Sequence, residues 1–270
     1  MILMTNKEFS MMAAYIKQKF GVNLGLEKKA LVQGRLHKIM TNMNFISVKE
    51  YYDYLAADKT GKADVALVNA ITTNHTFFMR EPSHFEYFSN HVLPYLYKIV
   101  KDRNLRIWCA ACSTGEEAYT LAMLIQDFFS IRSQGWDTKL LATDISLNAL
   151  AIAKQGSYSA EALSSIPTKW RNIYFKKQIN DNYQAIEMLK NEVIYRQFNL
   201  MNGQFPFKKK FHTIFCRNVM IYFDTPTRQA LVRKFYDYLE PGGYLFIGHS
   251  EVLDRSNAFK CIMPAVYRKE

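Results

Sequence analysis

The stretch from Leu105 to Gln126, LRIWCAACSTGEEAYTLAMLIQ, constrains the fold of this chain more than any other segment. An apolar run that ends at Trp108 enters a loop of small residues, Ala110 to Gly115, and two glutamates then open an amphipathic helix. Strand, tight loop and helix in this order are typical of an open parallel sheet. Small loop residues in such a sheet let a ligand approach the backbone beyond the carboxyl ends of the strands.

Glu116 and Glu117 restrict the kind of ligand that this loop can bind. A phosphate at the helix N-terminus would meet two carboxylates, which disfavours the usual pyrophosphate. S-adenosylmethionine fits better, because it has a sulfonium, an amino-acid end and a ribose diol. Asp144 follows the next predicted strand, 138–143, and one carboxylate at that position can accept both hydroxyl protons of a ribose. These residues predict a pocket for this cofactor.

Before residue 71 the chain shows helical periodicity and no strand pattern. We therefore predict an N-terminal all-helical domain over residues 1–70 and a connecting segment over 71–90, where polar residues alternate with aromatic ones. Ligand clefts favour such junctions between domains. The predicted helices of the first domain cover Asn6–Phe20, 26–42, 47–57 and 64–71.

From residue 91 onward strands and helices alternate, which predicts an α/β domain over 91–270 with a doubly wound, mostly parallel sheet and a terminal antiparallel hairpin. Residues from about 157 to 195 break this rhythm and predict a small inserted β subdomain with short strands near 174–177 and 183–186. The other predicted elements are strands at 193–198, 211–216 and 244–248, a helix at 227–239, a turn at 241–243 and a last edge strand at 263–268.

Cys109 and Cys112 form a C-x-x-C pair at the end of the first strand. Redox and metal functions for such a pair need a second ligand pair or a thioredoxin-like setting. The four cysteines of the chain are also too scattered for a disulfide scaffold. We predict buried, reduced thiols beneath the loop and no metal site.

The formal charge of +11 at pH 7 implies an acidic partner, which the charge alone leaves open among nucleic acid, an anionic membrane surface and a protein. Lys28, Arg35 and Lys38 project from one side of the second helix, as a solvated face or as a docking face for an acidic helix. No apolar stretch is long enough to span a bilayer, and the first residues lack a signal-peptide pattern. We expect a cytoplasmic protein without membrane insertion.

Several ordered segments resemble those of the chemotaxis receptor glutamate methyltransferases, which methylate receptor carboxylates with S-adenosylmethionine. The resemblance covers nearly the whole chain, including G-V-N-L and L-V-Q-G-R-L in the helical part. The segments are N-x-T-x-F-x-R at 74–80, R-I-W-x-A-x-C-S-T-G-E-E at 106–117, A-T-D-I-S at 142–146, F-x-x-I-F-C-R-N-V-M-I-Y-F at 211–223 and L-x-P-G-G-Y-L-F-I-G-H-S-E at 239–251.

The resemblance implies a class I methyltransferase-like fold that converts S-adenosylmethionine to S-adenosylhomocysteine while esterifying glutamates in the acidic helical bundle of a receptor's cytoplasmic domain. It implies a monomer that binds no nucleic acid, with Arg80 and Tyr222 as the catalytic residues near the transferred methyl. It also implies that the helical domain docks on the receptor through the basic residues of its second helix. The implied cofactor-binding residues are Asn74, Thr76, Arg80, Glu117, Asp144, Asn199, Leu200, Arg217 and Asn218.

Three departures from the family pattern bear on function. Ala111 stands where the family usually has glycine, which adds a Cβ to the cofactor loop. His75 and Met79 replace the commoner Glu and Phe at positions that do not contact the cofactor. Some members bind a receptor's C-terminal peptide through a glycine-rich loop in the insert, whereas residues 157–202 contain no glycine, so we predict that this chain does not need that tether.

Three alternative functions agree less well with the sequence. A nucleic-acid methyltransferase agrees with the net charge, but the segment from Arg217 to Tyr222 lacks the prolines of the N/D-P-P-Y motif of amino-group methylases. A non-catalytic cofactor-sensing or receptor-binding module agrees with Ala111. A nicotinamide dehydrogenase is disfavoured by the paired glutamates and by the absence of G-x-G-x-x-G.

Overall fold

The computed structural model of the chain describes residues 3–71, 75–130, 135–179, 181–254 and 258–270. Its first part is helical, as predicted, and begins at a capping box in which Thr5 and Glu8 bond each other's backbone N–H groups. Apolar side chains such as Met12, Leu36 and Tyr51 form a hydrophobic core of their own in this part. The helices are α1 (Asn6–Phe20), a 3₁₀ turn (Leu26–Lys28), α2 (Lys29–Asn42), α3 (Val48–Ala57) and α4 (Lys62–Ile71).

The second part alternates strands and helices around a central sheet. A Pro-initiated helix and a π-helical turn, Phe88–Val92, lead into it. The elements are α5 (Pro82–Tyr87), α6 (Leu93–Ile99), β1 (Ile107–Ala110), α7 (Glu116–Phe129), β2 (Leu140–Asp144), α8 (Leu147–Gln155), β3 (Ser157–Tyr158), α9 (Thr168–Tyr174), β4 (Phe175–Lys177), β5 (Tyr183–Ala185), α10 (Glu187–Lys190), β6 (Val193–Gln197), β7 (Phe211–Cys216), α11 (Thr225–Tyr238), β8 (Leu239–Ile247), β9 (Phe259–Met263) and β10 (Val266–Lys269).

Within the described ranges the main sheet has seven strands in the order β6-β2-β1-β7-β8-β10-β9. The first five strands pair in parallel, and β10 lies antiparallel to both β8 and β9. Every residue of β1 and β7 is buried, as expected for central strands that helices cover on both faces. The predicted doubly wound sheet with a terminal antiparallel hairpin is confirmed.

Two local predictions at the end of the chain are wrong. The predicted turn at 241–243 lies inside β8. Gly242 adopts a φ of +76°, and the register between β7 and β8 shifts at this place because β8 has more residues there than β7. The chain therefore continues as a strand with an irregularity and does not reverse. The predicted edge strand 263–268 contains the reversal instead, at Pro264 and Ala265. As a result β10 lies between two partners and β9 forms the edge.

The inserted region forms a separate three-stranded antiparallel sheet in the order β3-β5-β4. The strands predicted near 174–177 and 183–186 are present as β4 and β5, while β3, α9 and α10 were not predicted. A strand of two residues is too short to leave an alternating pattern in the sequence, which explains why β3 was missed.

The helical part packs on the sheet domain at the end where the parallel strands terminate. The N–H of Asn23 donates to the Tyr222 carbonyl at 2.8 Å, and the Asn199 side chain donates to the Lys19 carbonyl at 2.7 Å. Lys17 and Asp224 add an ion pair of 2.6 Å. The segment after α1 is therefore held against the loops that follow β6 and β7. Among the described residues no helix has both the length and the apolar character needed to cross a bilayer.

Candidate functional site

One cleft lies between the carboxyl ends of the parallel strands and the helical part. Phe20 and Val22 line it on the side of the helical domain, and Phe223 lines it from the loop after β7. Asn74 lies outside the described residues, but all the other predicted cofactor-binding and catalytic residues line this cleft. They are Thr76, Arg80, Glu117, Asp144, Asn199, Leu200, Arg217, Asn218 and Tyr222.

The loop between β1 and α7 forms one wall of the cleft. Ala111 and Cys112 donate their N–H groups to the Thr143 carbonyl at 2.8 Å each, which attaches the loop to β2. Ala111 has a φ of +74° and Ser113 a φ of +50°, a left-handed conformation that favours glycine. The alanine that departs from the family pattern thus lies in a backbone conformation where its Cβ is unfavourable.

Asp144 closes β2 at the floor of the cleft. Its carboxylate accepts the N–H groups of Ser113 and Ser146 at 2.8 Å each. Burial raises the pKa of Asp144, and these hydrogen bonds oppose that shift because they stabilise the ionised form. The side chain that we predicted for the ribose therefore also fixes the cofactor loop.

Arg217 connects three segments at the other side of the cleft. It follows β7, and its side chain lies 2.5 Å from the Glu117 carboxylate and 2.9 Å from that of Glu81. A further N–H donates to the carbonyl of Arg80. Burial disfavours the charge of Arg217, but the two carboxylates raise its pKa, so it remains a cation. Arg217 holds Glu117 and the Arg80 segment in one arrangement.

Glu81 was not predicted as a site residue, although it joins the same network. It accepts hydrogen bonds from the Asn218 side chain at 3.1 Å and from the His249 N–H at 3.2 Å, besides Arg217. Burial alone would raise its pKa, but the bonds from Asn218 and Arg217 lower it to about 2. A glutamate before a helix-opening proline is common in sequences, so it carried no functional signal.

A second missed carboxylate, Glu251, is buried at the end of the last family motif. It accepts the N–H groups of Asn218, Ile221 and Gly248 at 3.0, 3.1 and 2.6 Å. Burial raises the pKa of Glu251, although these hydrogen bonds lower it in part. It holds the loop that carries Asn218 and Tyr222. Glu251 is the last residue of the motif at 239–251, so this motif could have pointed to it.

Arg80 and Tyr222 lie on opposite segments of the same cleft. Arg80 donates to the His75 carbonyl at 2.7 Å, and its guanidinium lies 5.7 Å from the centre of the Phe77 ring. Tyr222 ends a 3₁₀ turn, Met220–Tyr222. Within the described part of the chain its hydroxyl makes no hydrogen bond. Both side chains therefore have hydrogen-bonding capacity that a reacting group could use.

Asn199 has both ends of its side-chain amide engaged. The amide nitrogen donates to Lys19 of α1, and the oxygen accepts the Met201 N–H at 2.9 Å. Leu200 is buried beside it. Contact of these residues with an adenine stays a prediction, but Asn199 has a second task, since it attaches the helical part to the sheet.

The two cysteines at the end of β1 are confirmed as buried free thiols. Cys109 lies with its Sγ 3.2 Å from the Glu117 carboxylate. Burial raises the pKa of both thiols well above the ordinary value, which disfavours a reactive thiolate. Cys109 packs in the core beneath the loop, whereas Cys112 belongs to the loop and lines the cleft.

The three predicted docking residues lie on α2 and the turn before it, outside the cleft. Lys38 is exposed, whereas Lys28 and Arg35 are partly buried. Arg35 donates to the carbonyl of Ile71 at the end of α4. Its charge therefore also stabilises the helical domain internally.

Glu81, His84 and His249 are close enough to hold a metal ion, with ligand atoms within 4.8 Å of one another. Arg217 argues against a metal there, because its guanidinium already neutralises Glu81 at 2.9 Å and would repel a second cation. Burial and Arg217 lower the pKa of His84 to about 4, so its imidazole is neutral at pH 7. We interpret the two histidines as a packing group, in which the His84 ring lies edge-on against the rings of His249 and Phe246.

The cleft fits S-adenosylmethionine by its unsatisfied polar atoms and by its charge. The Ser113 hydroxyl and the Nε of Arg217 are buried without a hydrogen-bond partner, and both residues line the cleft. Glu117 and Asp144 supply two carboxylates to a ligand with a sulfonium, an ammonium and a ribose diol. Of the paired glutamates only Glu117 lines the cleft; Glu116 accepts the Thr114 hydroxyl at 2.7 Å.

Comparison with known proteins agrees with this geometry. Residues 74–267 match the family model described as CheR methyltransferase, SAM binding domain, and residues 7–72 match its all-alpha domain. The chemotaxis protein methyltransferase of Borreliella burgdorferi is 40% identical, over 99% of this chain and 96% of that protein. The chemotaxis protein methyltransferase of Escherichia coli K12 is 32% identical, over 93% of this chain and 86% of that protein.

Proposed function

We propose, from the premise that this chain belongs to the CheR methyltransferase family, that it esterifies glutamate side chains of chemotaxis receptors. S-adenosylmethionine is its cofactor and S-adenosylhomocysteine the product. The observation that carries the proposal is the meeting of Arg80 and Tyr222 with Glu117 and Asp144 in one cleft. Cationic and hydroxyl donors suit an incoming carboxylate, and the two acidic side chains suit the cofactor.

The acceptor glutamate needs no general base from the protein. A glutamate is already ionised at neutral pH, so no side chain has to remove a proton from it. When bound, S-adenosylmethionine supplies a methyl group activated by a positively charged sulfur. Arg80 can orient the acceptor carboxylate through two parallel hydrogen bonds, and the Tyr222 hydroxyl can donate to it from the opposite segment.

The apolar wall of the cleft supports the same chemistry. The negative charge of the carboxylate and the positive charge of the sulfonium neutralise each other during this transfer. A site with less water than the bulk solvent favours such a loss of charge. Phe20, Val22 and Phe223, from the helical part and the loop after β7, give the cleft apolar lining. The helical domain thus contributes to the site as well as to receptor docking.

Methylation of receptor-containing membranes with a labelled methyl group tests this proposal. Methyl esters hydrolyse in alkali, so the label should be released by base, whereas methylated bases of nucleic acid would retain it. Arg80→Ala and Tyr222→Phe should each lower the turnover number by at least tenfold, while S-adenosylhomocysteine still binds. Arg80→Lys is the matched control, because lysine keeps the positive charge but cannot form two parallel hydrogen bonds to a carboxylate. Unchanged rates in both variants would contradict the assignment.

The partner that we propose is the acidic helical bundle of a receptor's cytoplasmic domain, which Lys28, Arg35 and Lys38 would contact. We further propose that this chain works without a receptor-tail tether, since its insert lacks the glycine-rich loop. Calorimetric titration with a receptor-tail pentapeptide should therefore show no binding at micromolar concentrations. Micromolar affinity would refute this part of the proposal and leave the methyl transfer intact.

A further inference from the structure

The inserted subdomain contacts both walls of the cleft through one residue, Tyr158. This residue lies in β3 and is almost fully buried. Its hydroxyl donates to the Thr114 carbonyl at 2.7 Å, in the loop between β1 and α7. Its ring meets that of Phe78 edge-on, with centroids 4.9 Å apart. Phe78 belongs to the segment that carries Thr76 and Arg80.

Phe78 anchors that segment in the insert. It is fully buried, and a second ring from the insert, Phe175, packs edge-on against it at 5.8 Å. The hydroxyl of Ser165, also in the insert, donates to the Phe78 carbonyl at 2.8 Å. Ring and backbone of Phe78 are therefore both held by the inserted subdomain.

The backbone around Arg80 needs such support. Met79 and Glu81, its two neighbours, have φ values of +59° each, a conformation that costs a non-glycine residue roughly 1 kcal/mol or more. Such a backbone persists only where the surroundings hold it. Glu81 is held by Arg217 on the sheet side, and Phe78 is held by the insert on the other. Arg80 lies between these two anchors.

We propose that the inserted subdomain positions the active site internally, with Tyr158 and Phe78 as positioning residues that set the cofactor loop and the Arg80 segment relative to each other. This inference rests on the proposed function, because it assumes that Arg80 faces the acceptor. It gives the insert a task in every turnover, independent of any receptor tether. Small displacements of an orienting group can lower rates by large factors, so the contact matters for catalysis.

Two variants test separately the hydrogen bond of Tyr158 to the cofactor loop and the packing of Phe78 against the insert. Tyr158→Phe keeps the ring on Phe78 and removes the bond to the cofactor loop, so the KM for S-adenosylmethionine should rise about fivefold, the value of one hydrogen bond, with little change in kcat. Phe78→Leu keeps an apolar side chain but loosens the Arg80 segment. Its kcat should fall about tenfold, a larger effect than any change in the Kd for S-adenosylhomocysteine.

The chain offers matched controls. Tyr119 has the same type of hydrogen bond, from its hydroxyl to the Ala153 carbonyl of α8 at 2.8 Å. Tyr119→Phe removes only this hydroxyl, and the Tyr119 ring keeps its contact with Tyr158. Phe129 is a fully buried phenylalanine of the same core, packed against Tyr97 and Trp136. Tyr119→Phe and Phe129→Leu should lower the melting temperature to a similar extent and leave KM and kcat within about twofold of wild type.

The experiment measures base-labile methyl transfer to receptor membranes and calorimetric binding of S-adenosylhomocysteine for wild type and all four variants. If Tyr158→Phe and Phe78→Leu match their controls, the inference is overturned while the proposed function stands. If wild type yields no base-labile label, the proposed function fails. The inference is then decided by binding alone: Tyr158→Phe should weaken the Kd for S-adenosylhomocysteine about fivefold relative to Tyr119→Phe, and equal affinities would overturn it. Should Phe78→Leu fail to fold, Ser165→Ala removes only the bond to the Phe78 carbonyl and should lower kcat likewise.

Discussion

At the scale of single residues, the cleft concentrates backbone conformations that L-amino acids disfavour. Met79, Glu81, Ala111 and Asn218 all have positive φ values and border the site. Asn218 is held by Glu81 and Glu251, and Glu81 by Arg217. Ala111 differs from Glu81 and Asn218, because its side chain is a methyl group that cannot form a hydrogen bond. Its conformation is maintained by backbone hydrogen bonds, among them the bond from its N–H to the Thr143 carbonyl of β2.

Ala111→Gly should therefore stabilise the protein. Removing the Cβ relieves a φ of +74°, and the gain exceeds the added freedom of glycine in the unfolded chain by about 0.5–1 kcal/mol. Thermal and urea unfolding should show a higher melting temperature and midpoint. Ala122→Gly, in the interior of α7, is the matched control and should destabilise by about 1 kcal/mol. A loss of stability in both variants would refute the strain at Ala111.

At the scale of elements, α2 and the turn before it carry the charges that we propose for docking, and Arg35 of α2 also has an internal role. Lys28 and Lys38 have no ion pair among the described residues, whereas Arg35 donates to the end of α4. Reversing Arg35 would thus change the fold of the helical domain together with any receptor contact. The sharper test of the docking face uses the two lysines alone.

Lys28→Glu combined with Lys38→Glu should lower kcat/KM for receptor methylation by about tenfold at low salt and by less at high salt, because salt screens the attraction to an acidic bundle. Calorimetry should show unchanged affinity for S-adenosylhomocysteine, since both residues lie outside the cleft. Lys59→Glu with Lys62→Glu makes the same change of charge elsewhere in the helical domain. An equal loss in that control would mean that net charge, and not this face, attracts the receptor.

At the scale of the whole molecule, two buried histidines make stability depend on pH. Burial, with nearby Arg217 for His84 and Arg106 for His212, lowers both pKa values to about 4. The unfolded chain, with histidine pKa values near 6.5, binds more protons than the folded chain between pH 6.5 and 4. Stability is therefore lost as the pH falls through this window. The acidic groups with pKa values of about 2, Glu81 and Asp224, act only below about pH 4.5.

The free energy of unfolding should fall by about 2 kcal/mol per buried histidine between pH 7 and pH 5. Urea unfolding at the two pH values measures this difference. His84→Leu should reduce the loss by about half, because one of the two histidines no longer takes up a proton on unfolding. His91→Gln is the control, since the His91 side chain is exposed in the folded protein. The same loss in His84→Leu as in wild type would show that other groups cause the effect.

Much of the architecture was predictable because it depends on local patterns. Helical periodicity located α1 at Asn6–Phe20, and the run from Phe211 to Cys216 was recognised as a buried strand. The chain reversals were harder, since the glycines at 242–243 resemble a turn signal but form an irregularity inside β8. The reversal lies at Pro264 and Ala265 instead, and its place is decided by the pairing of β10 with β8 and β9, which a local pattern does not contain.

The sequence by itself determined the class of the fold, the family, the cofactor and most residues around the cleft. This was possible because the motifs lie at the ends of parallel strands, and these ends meet at one edge of the sheet. Only the tertiary structure decided how those residues are held. Glu81 and Glu251 anchor the Arg80 and Asn218 segments, and Tyr158 joins the insert to both walls of the cleft. These contacts link residues far apart in the chain through burial and hydrogen-bond geometry, which exist only after folding.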